Sequence, residues 1–116
     1  MITEIESKQL QQMLDDGKST FALFVYTPFC GTCKLAEQLM RSAVSAFASS
    51  RLGTDNQVPT IYKVNINVAP KLAQSYRIKS VPCFMVWNNG TCTVQEYALG
   101  SMKNWLKWLQ MCSNHR

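Results

Sequence analysis

The sequence predicts an α/β domain in which one β-sheet is packed between helices. Three observations predict it. Strand-length apolar runs alternate with stretches of helical periodicity, in the order β-α-β-α-β-α-β-β-α. The run Phe21-Ala22-Leu23-Phe24-Val25-Tyr26 is apolar at every position, as expected of a central parallel strand covered by helices on both faces. Near the end, Asn88-Asn89-Gly90 is a tight-turn signal between two strand-like segments. With 116 residues and no internal repeat, low-complexity tract or linker, the chain reads as a single domain over residues 1–116.

Each element follows from its local pattern. Ile2 to Ile5 is a short edge strand. Ser7 offers an N-cap for a helix with Leu10, Met13 and Leu14 on one face, stopped by Gly17. Beyond Cys33, Leu35, Leu39, Ala43 and Phe47 recur every fourth position beside Ala36, Met40 and Val44, which is a long amphipathic helix. Ser49 to Gln57 contains Gly53, Asp55 and Asn56 and reads as a surface loop. Thr60 to Ile66 resumes strand character, and Val68 to Tyr76 is a short helix with Pro70 in its first turn. Cys83 to Trp87 is an apolar strand, and Thr91 to Ala98 returns as its antiparallel partner. Gly100-Ser101 opens a last helix that turns Met102, Trp105, Leu106, Leu109 and Cys112 inward.

Composition narrows the function. The longest apolar run, six residues, is too short to span a membrane. Met1-Ile2-Thr3-Glu4-Ile5-Glu6 is acidic and polar where a secretory signal would be basic and then apolar, so a cytoplasmic location is expected. The net charge of +5 comes from twelve basic residues scattered from Lys8 to Arg116, without the clustered footprint of a nucleic-acid binder. Five cysteines are an odd count, and only Cys30 and Cys33 are closely spaced, which argues against a disulfide-stapled scaffold. Trp87, Trp105 and Trp108 read as core or rim aromatics, and Cys92 and Cys112 as structural. His115, near the C-terminus, is a poor candidate for a catalytic base.

The chemistry concentrates in Cys30-Gly31-Thr32-Cys33, which follows the central strand and opens the long helix. A cysteine at a helix N-terminus meets unpaired backbone N–H groups and the positive end of the dipole, both of which favour thiolate. Only about 3% of an ordinary thiol is ionised at pH 7, so this bias matters for reactivity. The same C-x-x-C spacing also serves as half of a zinc site.

This order, with C-x-x-C opening the second helix and Val81-Pro82 before a β-hairpin, resembles the thioredoxin family. The resemblance covers nearly the whole chain. It rests on Phe29-Cys30-Gly31-Thr32-Cys33-Lys34, Tyr62-Lys63-Val64-Asn65-Ile66-Asn67, Val81-Pro82 followed by Phe84, Asn89-Gly90, and Gly100. It implies the thioredoxin fold, a three-layer α/β/α arrangement whose mixed sheet has order 1-3-2-4-5. It implies a thiol–disulfide oxidoreductase with Cys30 as nucleophile and Cys33 as resolving thiol, supported by Gly31, Thr32, Lys63 and Pro82. Pro82 would be the family's cis-proline, exposing the Val81 backbone to pair with an extended substrate; Phe29 and Gly100 would complete the substrate surface. No bound cofactor is expected, because the sulfurs carry the electrons. The implied partners are disulfide-containing proteins, with a thioredoxin reductase or a low-molecular-weight thiol as electron donor, and the protein is expected to be a monomer.

The chain departs from the family pattern in three places. Thioredoxins carry a buried Asp six residues before the first cysteine, where this chain has Phe24, so Lys63 is expected to lack its usual carboxylate partner. Lys63 would then be a cation favouring the thiolate, a neutral base, or a strand-end lysine reaching for solvent. Thr32 replaces the family's proline and Phe29 its tryptophan. The added hydroxyl and N–H beside Cys30 should stabilise the thiolate and make the pair a weaker reductant. Cys83, next to Pro82, is a candidate third thiol. Two other readings stay open at this stage: a zinc or iron–sulfur site on Cys30, Cys33 and Cys83, and a non-catalytic peptide-binding adaptor.

Overall fold

The computed structural model describes residues 2–50 and 60–113. Its strands are β1 (Ile2–Glu4), β2 (Phe21–Tyr26), β3 (Ile61–Asn65), β4 (Cys83–Asn88) and β5 (Thr91–Glu96). Its helices are α1 (Ser7–Asp16), α2 (Gly31–Ser50), α3 (Pro70–Ser75) and α4 (Met102–Ser113), with a 3-10 turn over Ile66–Val68. The sheet order is β1-β3-β2-β4-β5. β3 runs parallel to both β1 and β2, whereas β4 is antiparallel to β2 and to β5. The central strand β2 is therefore parallel on one side only. It is still buried on both faces, which explains its unbroken apolar character.

Alternation along the strands divides the core into two layers. Ala22, Phe24, Ile61, Phe84 and Val86 point toward α2 and α4, where they meet Met40, Ala43, Trp105 and Leu109. Leu23, Val25, Val64, Cys83, Met85 and Trp87 point to the other face, where Leu10 of α1 and Leu72 of α3 cover them. Trp105 is fully buried against Phe84, with ring centroids 4.7 Å apart, and its indole N–H donates to the Leu99 carbonyl at 2.9 Å. That bond satisfies the polar edge of a core aromatic and ties the start of α4 to the segment before it.

Several boundaries differ from the sequence reading. α1 begins at Ser7 itself, because Glu6 adopts the extended cap conformation and its carbonyl accepts from Leu10 N–H at 2.9 Å. Gly17 ends α1 in the left-handed conformation, as expected. α2 continues through Ser49 and Ser50, so the expected loop starts later; residues 51–59 lie outside the described residues. The helix after β3 is shorter than expected and starts at Pro70, since Asn65 caps a separate 3-10 turn by accepting from Asn67 N–H at 3.0 Å. In the β4–β5 turn, Asn89 and Gly90 both have positive φ, the geometry that matches the twist of a hairpin. Gly90 lies so close to the Gly17 carbonyl that a Cβ there would collide with it. The Cys112 side chain and all of His115 fall outside the described structure.

Candidate active site

β2 runs out at Tyr26, a short turn follows, and α2 begins at Gly31. Lys34 N–H donates to the Cys30 carbonyl at 3.1 Å, so Cys30 is the N-cap residue of α2. Its sulfur does what a serine or aspartate oxygen does at that position. It accepts the backbone N–H of Cys33, the third residue of the helix, at 3.1 Å. Two intervening residues are what this geometry needs: they place the second cysteine one helical turn from the first. Phe29, immediately before, has φ 63°, a strained conformation for a bulky residue, and its ring is 96% exposed.

The two sulfurs are electrically unequal. The neighbouring Cys33 thiol, followed by the Thr32 hydroxyl, draws the Cys30 pKa below the ordinary thiol value against the opposing effect of burial. Thr32 Oγ1 lies 3.3 Å from Cys30 Sγ. Cys33 is only 3% exposed, and burial together with the bond to Cys30 pushes its pKa up to about 11. Cys33 therefore keeps its proton more firmly, and Cys30, the partly exposed sulfur, is the one that ionises more readily. Thr27, in the turn ahead of the motif, lies beside the pair and favours thiolate at each sulfur. It was not anticipated from sequence, where a lone threonine after a strand carries no signal.

The Val81–Pro82 peptide bond is cis. Pro82, Thr32 and Gly100 line one cavity beside α2, so residues far apart in sequence converge on the region next to Cys30. Gly31 opens α2 with open space where a Cβ would stand, so packing does not require glycine there.

Two expectations are corrected. Lys63 does have a carboxylate partner: both oxygens of Glu37, on α2, accept from its Nζ at 2.8 Å. Phe24 is the register neighbour of Lys63 on β2, and the missing charge is supplied from the helix above instead of from that strand. Burial raises the Glu37 carboxyl, but hydrogen bonds from Lys63 and Arg41 outweigh it and hold the group below its ordinary value. Lys63 also sits 4.8 Å from the centre of the Tyr26 ring. Tyr26 donates to Glu4 at 2.8 Å, and burial plus that bond raise its pKa to about 12. Lys63 is therefore neither an unpartnered cation nor a lysine reaching for open solvent. Glu37 was legible only as an i,i+4 partner of Arg41, because the register that sets Lys63 beneath it is a tertiary fact.

Cys83 is the second correction. It is fully buried on the sheet face opposite α2, among Val25, Met85 and Leu72, and burial pushes its pKa to about 12. It does not join Cys30 and Cys33. Among the described residues no three His, Cys, Asp or Glu side chains gather as metal ligands, so the alternative three-cysteine metal site is not assembled.

Comparison with known proteins agrees with this geometry. The family model for thioredoxin matches residues 1–110. The chain is 32% identical over 101 residues to the thioredoxin-like protein YusE of Bacillus subtilis, covering 85% of this chain and 82% of that one. It is 31% identical over 91 residues to thioredoxin of Mycoplasma genitalium, covering 78% and 79% of the two chains. Among solved structures, Malassezia sympodialis thioredoxin superposes with a TM-score of 0.71 at 18% identity, over 97% of this chain and 93% of that one. No helix among the described residues is long and apolar enough to cross a membrane. With its five-stranded sheet in the order 1-3-2-4-5 and its cysteine pair at the head of α2, this chain belongs to the thioredoxin family.

Proposed function

We propose that the protein is a thiol–disulfide oxidoreductase that reduces disulfides of protein targets in the cytoplasm, acting as a monomer. The observation that carries this reading is the asymmetry of the pair: Cys30 Sγ accepts the Cys33 N–H at 3.1 Å at the helix start, while Cys33 is shielded and holds its proton. The Cys30 thiolate attacks one sulfur of the target disulfide, forming a mixed disulfide and expelling the other sulfur as a thiolate that takes up a proton. Cys33 then loses its proton and attacks Cys30 Sγ. The mixed disulfide breaks, the target leaves as a dithiol, and Cys30 and Cys33 are left joined, two electrons poorer. A thioredoxin-reductase-type enzyme or a low-molecular-weight thiol restores them.

The supporting residues follow from their positions. Gly31 and Thr32 form the first helical turn, with the Thr32 hydroxyl beside the nucleophile. Val81 offers its backbone to an extended target, with Pro82 beside it and Phe29 and Gly100 on the surrounding surface. Lys63 supports the site by fastening α2 to the sheet through Glu37. A Cys33→Ser variant tests the reading. Exposed to a protein disulfide, it should accumulate a mixed disulfide through Cys30, whereas Cys30→Ser should not. Failure of Cys33→Ser to trap any target would favour an adaptor that binds without turnover.

A further inference from the structure

The segment between α3 and β4, residues 76–82, carries Val81 and Pro82 to the site yet has little structure of its own. Ile78 N–H donates to the Ala73 carbonyl at 3.0 Å, which closes α3, and Arg77 stands at φ 50°, in the left-handed region. Among the described residues no backbone–backbone hydrogen bond holds residues 79–81. Side chains of β5 and of the residue after it supply the partners. Lys79 N–H donates to the Tyr97 hydroxyl at 3.1 Å, and Gln95 Nε2 donates to the Tyr76 carbonyl at 2.8 Å. Gln95 Nε2 also donates to the Tyr97 hydroxyl at 3.2 Å, which joins the two contacts into one network. We propose that the Tyr97 hydroxyl is a positioning group for target binding: it fixes where the Val81 backbone stands relative to Cys30. The inference rests on the oxidoreductase reading above and deepens it.

A tyrosine oxygen has two lone pairs, and N–H donors use both of them here. The ring is half-buried and packs on the core layer under α1 and α3, so the oxygen is held from the sheet side. Gln95 is the register partner of Met85, which anchors the network to β4 and through β4 to β2, the strand that leads to Cys30. The Cys83 thiol lies beside the same hydroxyl, so contacts from Tyr97 reach both sides of Pro82. With phenylalanine at this position the Lys79 N–H has no partner, and the segment is released from its place. A target strand paired with Val81 must bring its disulfide into line with Cys30, and small displacements of the pairing edge cost rate steeply. A disulfide too small to pair with Val81 is insensitive to that edge.

The test compares insulin, a polypeptide disulfide, with hydroxyethyl disulfide, which has no chain to pair. Single-turnover rate constants of the reduced protein are measured with each by acid quench and alkylation, and their ratio is taken. In Tyr97→Phe the ratio of insulin to hydroxyethyl disulfide should fall about fivefold, the bias that one hydrogen bond of ordinary strength imposes. Gln95→Leu, which cuts the link to Tyr76, should move the ratio in the same direction and serves if Tyr97→Phe does not fold. Thr93→Val, on the same strand, loses bonds to Val86 and Asn88 without touching the segment, and its ratio should equal that of the unaltered protein. An unchanged ratio in folded Tyr97→Phe, or an equal fall in Thr93→Val, would overturn the proposal and leave the oxidoreductase reading standing. Absence of reaction with both disulfides in the unaltered protein would overturn that reading as well.

Discussion

Replacing Thr32 by Val removes a hydroxyl from beside the Cys30 sulfur and keeps the shape of the side chain. A hydrogen bond to a charged acceptor contributes about 1.5–3 kcal/mol, and the exposure of Thr32 reduces that to about 1 kcal/mol. At about 1.36 kcal/mol per pKa unit, the Cys30 pKa should rise by roughly 0.7 in Thr32→Val. The reduced pair loses the same stabilisation wherever Cys30 is ionised, so the couple should become more reducing by about 20 mV. The first shift is read from the pH profile of Cys30 alkylation by iodoacetamide, the second from equilibration with glutathione. The Cys33 N–H and the Thr27 hydroxyl remain in the variant, so the midpoint should move part of the way toward an ordinary thiol. A midpoint that stays in place or moves down would refute the role given to the hydroxyl.

Three further outcomes follow from the core and the charge network. Phe24→Asp places the family's carboxylate at a fully buried position packed near Trp105; it should lower unfolding free energy by at least about 3 kcal/mol in urea titration, despite Lys63 alongside. Glu37→Gln removes one partner of a largely shielded ion pair between α2 and β3 and should cost about 1–2 kcal/mol in the same assay, between the values for exposed and buried pairs. Alkaline stability should fall, because Cys83 titrates near 12 when folded and near an ordinary thiol value when unfolded. The folded state binds the extra proton between those values, so stability is complete below the unfolded pKa and is lost as pH rises toward 12, by up to about 1.4 kcal/mol per pH unit. Cys83→Ala should flatten that slope.

The parts of the fold governed by local pattern were legible in the sequence. The unbroken run Phe21–Tyr26, the four-residue periodicity beyond Cys33 and the Asn89-Gly90 turn each encode an element without outside help. Boundaries shifted where backbone capping competes with side-chain capping, as at Glu6 and Ser7, or where a short polar turn such as Ile66–Val68 intervenes before a proline. In the site, the Cys30–Cys33 pair was legible because its spacing and its place between strand and helix are set by local sequence. Glu37, Thr27 and the orientation of Cys83 were not. Each depends on how one element lies against another: α2 over β3 for Glu37, the turn after β2 over the sulfurs for Thr27, and strand parity for Cys83. Cys83 follows Pro82 in sequence, yet the alternation of β4 sends its side chain to the α1–α3 face while that of Phe84 faces α2 and α4.

The central claim is that Cys30 and Cys33 form one redox couple, with Cys30 attacking and Cys33 resolving. Equilibrating the protein across a series of thiol/disulfide buffers, followed by alkylation and peptide mass mapping, tests it most directly. Cys30 and Cys33 should oxidise together in a single two-electron step, joined to each other, while Cys83 stays reduced in its buried site throughout. Oxidation of Cys30 to a bond with Cys83, or a buffer series in which Cys30 and Cys33 never pair, would contradict the account.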